Sequence, residues 1–150
     1  MLALTELTPS TFIRLKGIER NPNAEPWETT VEQILLDGIA ADHLNEPGAV
    51  VLAADDDGQI VGAAFHYPHE KLPGAQYIAA VLVDWRYRQL GHGRDLMTQT
   101  IAHAHETSGR PYVVWAVDFH NDAMIGLSEE LGNRLDMDDD DDSLLTFVHP

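Results

Sequence analysis

Apolar positions along this chain recur at two spacings, and the changes between them mark the elements. Ile78-Ala79-Ala80-Val81-Leu82-Val83 is an unbroken apolar run and predicts a strand over 76–83. Beyond it, Leu96, Met97, Thr100, Ile101 and Ala104 return every three or four residues and predict a helix over 94–107, stopped by Gly109 with Pro111 just past it. Val31, Ile34, Leu35 and Ile39 repeat in the same way. Thr29 and Thr30, followed by Glu32 and Gln33, fit a capping box at the start of that helix, and Asn45-Glu46-Pro47-Gly48 ends it. Between the two helices, strands over 49–54 and 59–67 flank Asp55-Asp56-Asp57-Gly58, whose Asp-Gly end is a hairpin signal.

The remaining segments follow from punctuation. Residues 2–7 read as a first strand. Thr8-Pro9-Ser10 opens a short helix to about residue 20, broken by Asn21-Pro22-Asn23. Residues 112–117 read as a buried strand. Asn121 or Asp122 caps a helix with Met124, Leu127, Ser128 and Leu131 on one face and Gly132 as its stop. A short strand over 134–137, the acidic turn 138–142 and a last strand over 144–148 close the chain. This order predicts a mixed α/β fold: one domain over residues 1–150, with a central, mostly antiparallel sheet flanked by about four helices. The step from strand 76–83 to strand 112–117 through a helix should be a right-handed crossover.

Composition narrows the function. One hundred and fifty residues, 44% of them hydrophobic, suffice to bury a sizeable core. The chain has no cysteine, which excludes disulfides, thiolate metal ligands and a cysteine nucleophile. No apolar run approaches the roughly 20 residues that cross a bilayer, and the first residues lack the basic and apolar regions of a secretory signal. A cytoplasmic protein with no membrane partner is expected. The net charge of −16 argues against general nucleic-acid binding and favours a cationic substrate or partner. Against that acidic background Arg86, Arg88 and Arg94, three of nine basic residues, fall close together.

They surround Arg88-Gln89-Leu90-Gly91-His92-Gly93, a glycine-bearing turn that leaves a strand and enters a helix. Glycine lets the backbone bend and lets a ligand approach closely. The N–H groups of a first helical turn have no intrahelical acceptor, and with the helix dipole they attract an anion. Arg88 or Arg94 can add charge-assisted bonds to a phosphate.

This turn resembles the acetyl-CoA signature of the GNAT superfamily of N-acetyltransferases: Arg or Gln, two residues, Gly, one residue, Gly or Ala. Arg88, Gly91 and Gly93 fit it, and Val81-Leu82-Val83 fits the strand end that precedes it. A second family pattern is a strand ending in an apolar residue and Val, followed by Asn; Trp115, Val117 and Asn121 match it, and Leu131-Gly132 stand where the family has Leu-Gly. The resemblance implies acetyl-CoA as cosubstrate and a primary amine as acceptor. Pyrophosphate would rest on the backbone of Gln89, Leu90, Gly91, His92, Gly93 and Arg94. The pantetheine arm would bond backbone groups at Val81, Leu82 and Val83, with Asn121 beside it. The amine would attack directly, without an acyl-enzyme, and a backbone N–H near Val83 would meet the oxyanion. Acceptor choice would lie near residues 20–44, in the loop 68–74 and in the C-terminal strands, through which relatives also form homodimers.

The chain departs from the family at the acid. Where relatives keep a tyrosine to protonate the leaving thiolate, this chain has Ser128. A thiolate, conjugate to a thiol of pKa about 8.5, leaves fairly well, so a serine hydroxyl or water can suffice. Asp84, His66 and His120 are the candidate bases, with a water relay as the alternative. Ser128 and the lack of a carboxylate in 78–83 also suit a non-catalytic acyl-CoA-binding module. Familiar nucleotide loops are absent from the sequence. No metal is expected: His103 and His105, two apart on a helix, diverge, and 138–142 lacks the glycine and glutamate of a calcium loop.

Overall fold

The computed structural model describes residues 2–24, 30–43, 47–87, 91–136 and 143–150. Seven strands form one sheet: β1 (Ala3–Leu7), β2 (Val50–Asp56), β3 (Gln59–Pro68), β4 (Ala75–Val83), β5 (Tyr112–Asp118), β6 (Asn133–Leu135) and β7 (Leu144–His149). Their order is β1-β2-β3-β4-β5-β7-β6. β4 and β5 are parallel and every other neighbouring pair is antiparallel. Helix α1 (Val31–His43) precedes β2, α2 (His92–Ser108) joins β4 to β5, and α3 (Asp122–Leu131) follows β5. This is the expected mixed α/β architecture.

Local chemistry accounts for the elements. The β2–β3 turn places Asp57 and Gly58 at φ of 51° and 86°, the doubly left-handed conformation that Asp-Gly supplies, and the Asp55 carboxylate accepts from the Gly58 N–H at 2.7 Å. Thr30 Oγ1 accepts from the Gln33 N–H at 3.0 Å and caps α1. Thr29, Asn45, Glu46, Met137 and the turn 138–142 lie outside the described residues. The segment after β1 is a 3-10 helix over Pro9–Gly17, not an α-helix. Gly132 does stop α3, but with an extended backbone. A Cβ there would sit 2.6 Å from the Val148 carbonyl and 2.9 Å from Trp115, so glycine is needed for close packing on β7.

Both faces of the sheet are packed. On one face the 3-10 helix and α1 bring Phe12, Leu15, Val31 and Ile34 onto Val51, Ala53, Phe65 and Leu82. On the other, α2 and α3 bring Met97, Ile101 and Met124 onto Ile78, Trp115 and Phe147. Alternation along each strand sends neighbouring side chains to opposite faces, except at two bulges, one at Val61 of β3, where Ala54 pairs with Gly62 and Asp55 with Ile60, and one in β4. Phe65 pairs with Ala80 but His66 pairs with Ile78, which makes Ala79 an extra residue, a β-bulge. As a result Ile78 faces α2 while Ala80 and Leu82 face α1.

Candidate active site

The parallel pair β4–β5 is hydrogen-bonded only from Ala75–Tyr112 to Ile78–Trp115. Past the bulge the strands part. β4 continues against β3 alone, and the rest of β5 against β7 alone. A cavity of about 100 Å³ opens in the gap, lined by Ala79, Ala80 and Val81 on one side and Trp115 and Ala116 on the other. Met97 of α2 and Met124 of α3 complete its wall. The backbone of β4 is oriented toward this gap. The Asp84 N–H donates to the Val61 carbonyl at 2.8 Å, so Val83 opposite Gly62 is a non-hydrogen-bonded pair. Alternation then turns the N–H and C=O of Val81 and Val83 away from β3, toward the edge that has left β5. Leu82, between them, is spent on β3 and buries its side chain toward α1.

At the same end of the sheet α2 begins. Gly91 is its N-cap at φ 78°, the left-handed region where glycine carries no steric penalty, and it has no side chain with which to cap the helix. The Asp95 N–H donates to the Gly91 carbonyl at 3.1 Å and closes the first turn of the helix. The N–H groups of His92, Gly93 and Arg94 precede it and carry the partial positive charge of the helix end. A Cβ on Gly91 or Gly93 would meet no atom of the described residues within 4 Å, so among them this cradle is open. His92 Nε2 lies 3.5 Å from the Asp56 carboxylate at the β2–β3 hairpin. The Asp95 carboxylate accepts from the Leu2 N–H at 3.0 Å and from Gln99 Nε2 at 2.8 Å, and these bonds, the Gln99 one foremost, hold its pKa down. The Arg94 guanidinium pairs with the Glu130 carboxylate, an exposed bridge from α2 to α3. Arg88, Gln89 and Leu90 lie outside the described residues.

The other sequence candidates have structural partners. Asn121 caps α3, its Oδ1 accepting from the Met124 N–H at 3.2 Å. Ser128 is fully buried, and its Oγ accepts from Trp115 Nε1 at 2.8 Å, so it fixes the indole that lines the gap. Asp84 is buried with both oxygens engaged. Arg86 bonds it through Nε at 3.0 Å and a terminal nitrogen at 2.7 Å, and the Glu19 and Arg86 N–H groups add 3.0 Å bonds. Burial pushes this carboxyl up, but the bonds from Arg86 and Glu19 outweigh it and hold the pKa below the usual range. His66 is buried in a directional chain. Gln76 Nε2 donates to the Gly48 carbonyl at 3.0 Å and to His66 Nδ1 at 2.8 Å. His66 Nε2 then donates to His103 Nδ1 at 3.0 Å, and His103 Nε2 to Glu6 at 3.1 Å. Burial, with His103 beside it, pushes the His66 pKa down to about 4. His105 turns the other way, to His149 at 2.9 Å, so the two α2 histidines diverge as their spacing requires. His120 sits at the surface on the Asp118 carboxylate, 2.9 Å away.

A model of the acetyltransferase (GNAT) family matches residues 9–132, most of the chain. The chain belongs to the GNAT acetyltransferase family. It is thereby an acyltransferase of the N-acetyltransferase class, and the family uses acetyl-CoA as cosubstrate. No curated protein matches it in sequence. Among solved structures, an acetyltransferase from Thermus thermophilus superposes with a TM-score of 0.72 at 17% identity over 100% of this chain and 97% of that one. The ribosomal-protein-S18-alanine N-acetyltransferase of Escherichia coli gives 0.67 at 19% identity, covering 99% and 91%. A dodecameric spermidine N-acetyltransferase from Vibrio cholerae gives 0.66 at 11%, covering 99% and 92%. At such identities the likeness is one of fold.

Sequence reasoning missed a second cavity of this GNAT domain, on the α1 face of the sheet. It measures about 190 Å³ and is lined by Tyr67, Tyr77, His69 and Glu70, with Lys71, Ala116, Leu144 and Thr146. The loop 68–74 and the C-terminal strands were expected to choose the acceptor, and both contribute to this wall. The tyrosines carried no signal of their own, because single aromatics in β3 and β4 read equally well as core. Among the described residues no group of side chains could hold a metal ion, and no helix is long and apolar enough to cross a membrane.

Proposed function

We propose that the protein transfers the acetyl group of acetyl-CoA directly to a primary amine, with a cationic small molecule or a peptide N-terminus as acceptor. The observation that carries this reading is Ala116, which lines both the gap between β4 and β5 and the cavity on the opposite face. Cosubstrate and acceptor can therefore approach one point from two sides of the sheet. The open α2 cradle of Gly91, His92 and Gly93 suits the pyrophosphate, with Arg88, Gln89 and Leu90 just before it, and Arg94 would leave Glu130 for a phosphate. The outward amides of Val81 and Val83 suit the pantetheine arm, with Leu82 holding their register and Asn121 at the far side. An N–H of this edge would stabilise the oxyanion.

Asp84 is assigned a structural role: its lone pairs anchor the Glu19 backbone and Arg86, and its depressed pKa makes it a poor base. The acceptor's proton leaves through water in the open cavity. Ser128 acts through Trp115, as a positioning residue. Ser128→Ala would strand the indole N–H, lower the melting temperature and reduce kcat more than acetyl-CoA affinity; an unchanged kcat would remove it from the mechanism.

Calorimetric titration with acetyl-CoA, paired with product detection across primary amines, tests the whole reading. Micromolar binding and acetylated amine are expected. Absence of binding up to millimolar cosubstrate refutes it, and binding without product across the panel marks an acyl-CoA-binding module instead.

A further inference from the structure

The three cavities share walls. Ala116 links the gap to the acceptor-side cavity, and Tyr67 and Glu70 link that cavity to a third, of about 530 Å³. The third is walled by Gly48, Ser108, Arg110 and Gln76, whose buried Oε1 has no hydrogen-bond partner among the described residues. The tyrosines and Glu70 therefore stand between the wall at Ala116 and the third cavity.

The middle cavity has the makings of a cation site. Tyr67 and Tyr77 meet edge to face with centroids 5.5 Å apart, and His69 meets Tyr77 edge-on at 5.3 Å. His69 Nδ1 accepts from the Lys71 and Leu72 N–H groups at 3.0 and 3.1 Å, which places its hydrogen on Nε2. Burial lowers its pKa; Glu70 opposes and Lys71 adds to the fall, so the ring stays uncharged at neutral pH. Three neutral rings beside an exposed carboxylate favour an ammonium. An ammonium held there cannot be the nucleophile, because attack needs a free lone pair, and an alkylamine of pKa about 10.4 is almost wholly protonated at pH 7.

A ligand that satisfies both demands carries two amines. We propose that the acceptor is an elongated diamine: one ammonium rests on Glu70 beside Tyr67 and Tyr77, and the other amine reaches Ala116 and the thioester. The proposal rests on the acetyl-transfer reading and specifies its substrate. In the transfer the neutral amine nitrogen bonds the acetyl carbon, the carbon–sulfur bond breaks, the nitrogen loses one proton and the CoA thiolate takes one up. Lys71 and Arg110 are the opposing cations, at the wall of the middle and third cavities.

Diaminobutane and butylamine have the same four-carbon chain and differ at the far end, in the second amine, so their kcat/KM ratio on the intact protein reads the proposal. A preference for the diamine of up to about fivefold is expected, expressed in KM, the size of one favourable exposed ion pair. Glu70→Gln should bring the ratio near one, and Lys71→Gln should raise it. Both positions are exposed, so neither change threatens the fold. Equal kcat/KM values on the wild-type protein, or a preference that survives Glu70→Gln, overturn the proposal while leaving acetyl transfer intact. Calorimetry of diaminobutane against the CoA complex reads the site without turnover. Heat that Glu70→Gln abolishes supports the cation site even if no amine is acetylated, and no heat at millimolar diamine refutes it.

Discussion

The β4–β5 seam has two ends built on opposite principles. At one, residues 75–78 and 112–115 are fully hydrogen-bonded, and Gln76, His66, His103 and Glu6 tie β4, β3, α2 and β1 together beside it. At the other, past one extra residue, the same strands separate, apolar side chains line the opening, and the backbone amides of Val81 and Val83 face it. The closed end is polar and fixed, whereas the open end is apolar in its side chains and polar in its backbone. The lesson is that a gap in a sheet is tolerable when the strands beside it are clamped and when a polar ligand can take over the bonds that the neighbouring strand gives up.

The comparison can be broken most strongly at the open end. Gly93→Val fills the α2 cradle where a Cβ meets no atom of the described residues and where φ is not left-handed. Acetyl-CoA affinity should fall about a thousandfold, near 4 kcal/mol, with little change in melting temperature. Normal binding by this variant would displace the phosphate from α2. At the closed end, Gln76→Leu leaves the Gly48 carbonyl and His66 Nδ1 buried without a donor, at a cost of about 3 kcal/mol in urea unfolding. A loss below about 1 kcal/mol would mean that the network does not hold the seam.

Acid should act on the closed end too. The native His66 binds its proton near pH 4 and the unfolded one near 6.5, so between these values the unfolded state holds more protons. The neutral ring's contribution is complete above about pH 6.5 and falls away as pH drops toward 4, a loss of about 2 kcal/mol by pH 5. Unfolding midpoints that stay flat from neutral pH down to 5 would contradict this. The smallest effect lies at the mouth of the gap: Glu130→Gln frees Arg94 and should tighten acetyl-CoA binding about two- to fivefold, since both side chains are exposed. Unchanged affinity would show that Arg94 does not contact the cosubstrate.

Periodicity exposed the element order, the hairpin and both ends of α2, because each rests on local chemistry: Asp-Gly in its turn, Gly91 and Gly109 at left-handed positions. It did not separate a 3-10 helix from an α-helix after Thr8. It could not expose the bulge either, since Ala79 stands in an all-apolar run where a change of face leaves no trace. The glycine turn and Asn121 were legible as motifs. The acceptor-side cavity was not, for its walls come from β3, β4, the loop between them, β5 and β7, and nothing local unites Tyr67, Tyr77, Glu70 and Thr146. Asp84 and His66 looked like free chemistry in the sequence. Their partners, Arg86 with the Glu19 backbone and Gln76 with His103, are brought to them by the fold, and no spacing in the sequence points to them.

The bulge at Ala79 makes β4 a strand whose length is read in odd and even. Every residue before it follows one parity and every residue after it the other. Deleting Ala79 would shorten the strand by one and restore a single count. Ile78 and Ala80 would become consecutive partners of His66 and Phe65, Ala80 and Leu82 would stay on the α1 side, and what would go is the local kink at which β4 leaves β5. One alanine, chemically inert, thus lets two runs of opposite parity share one strand.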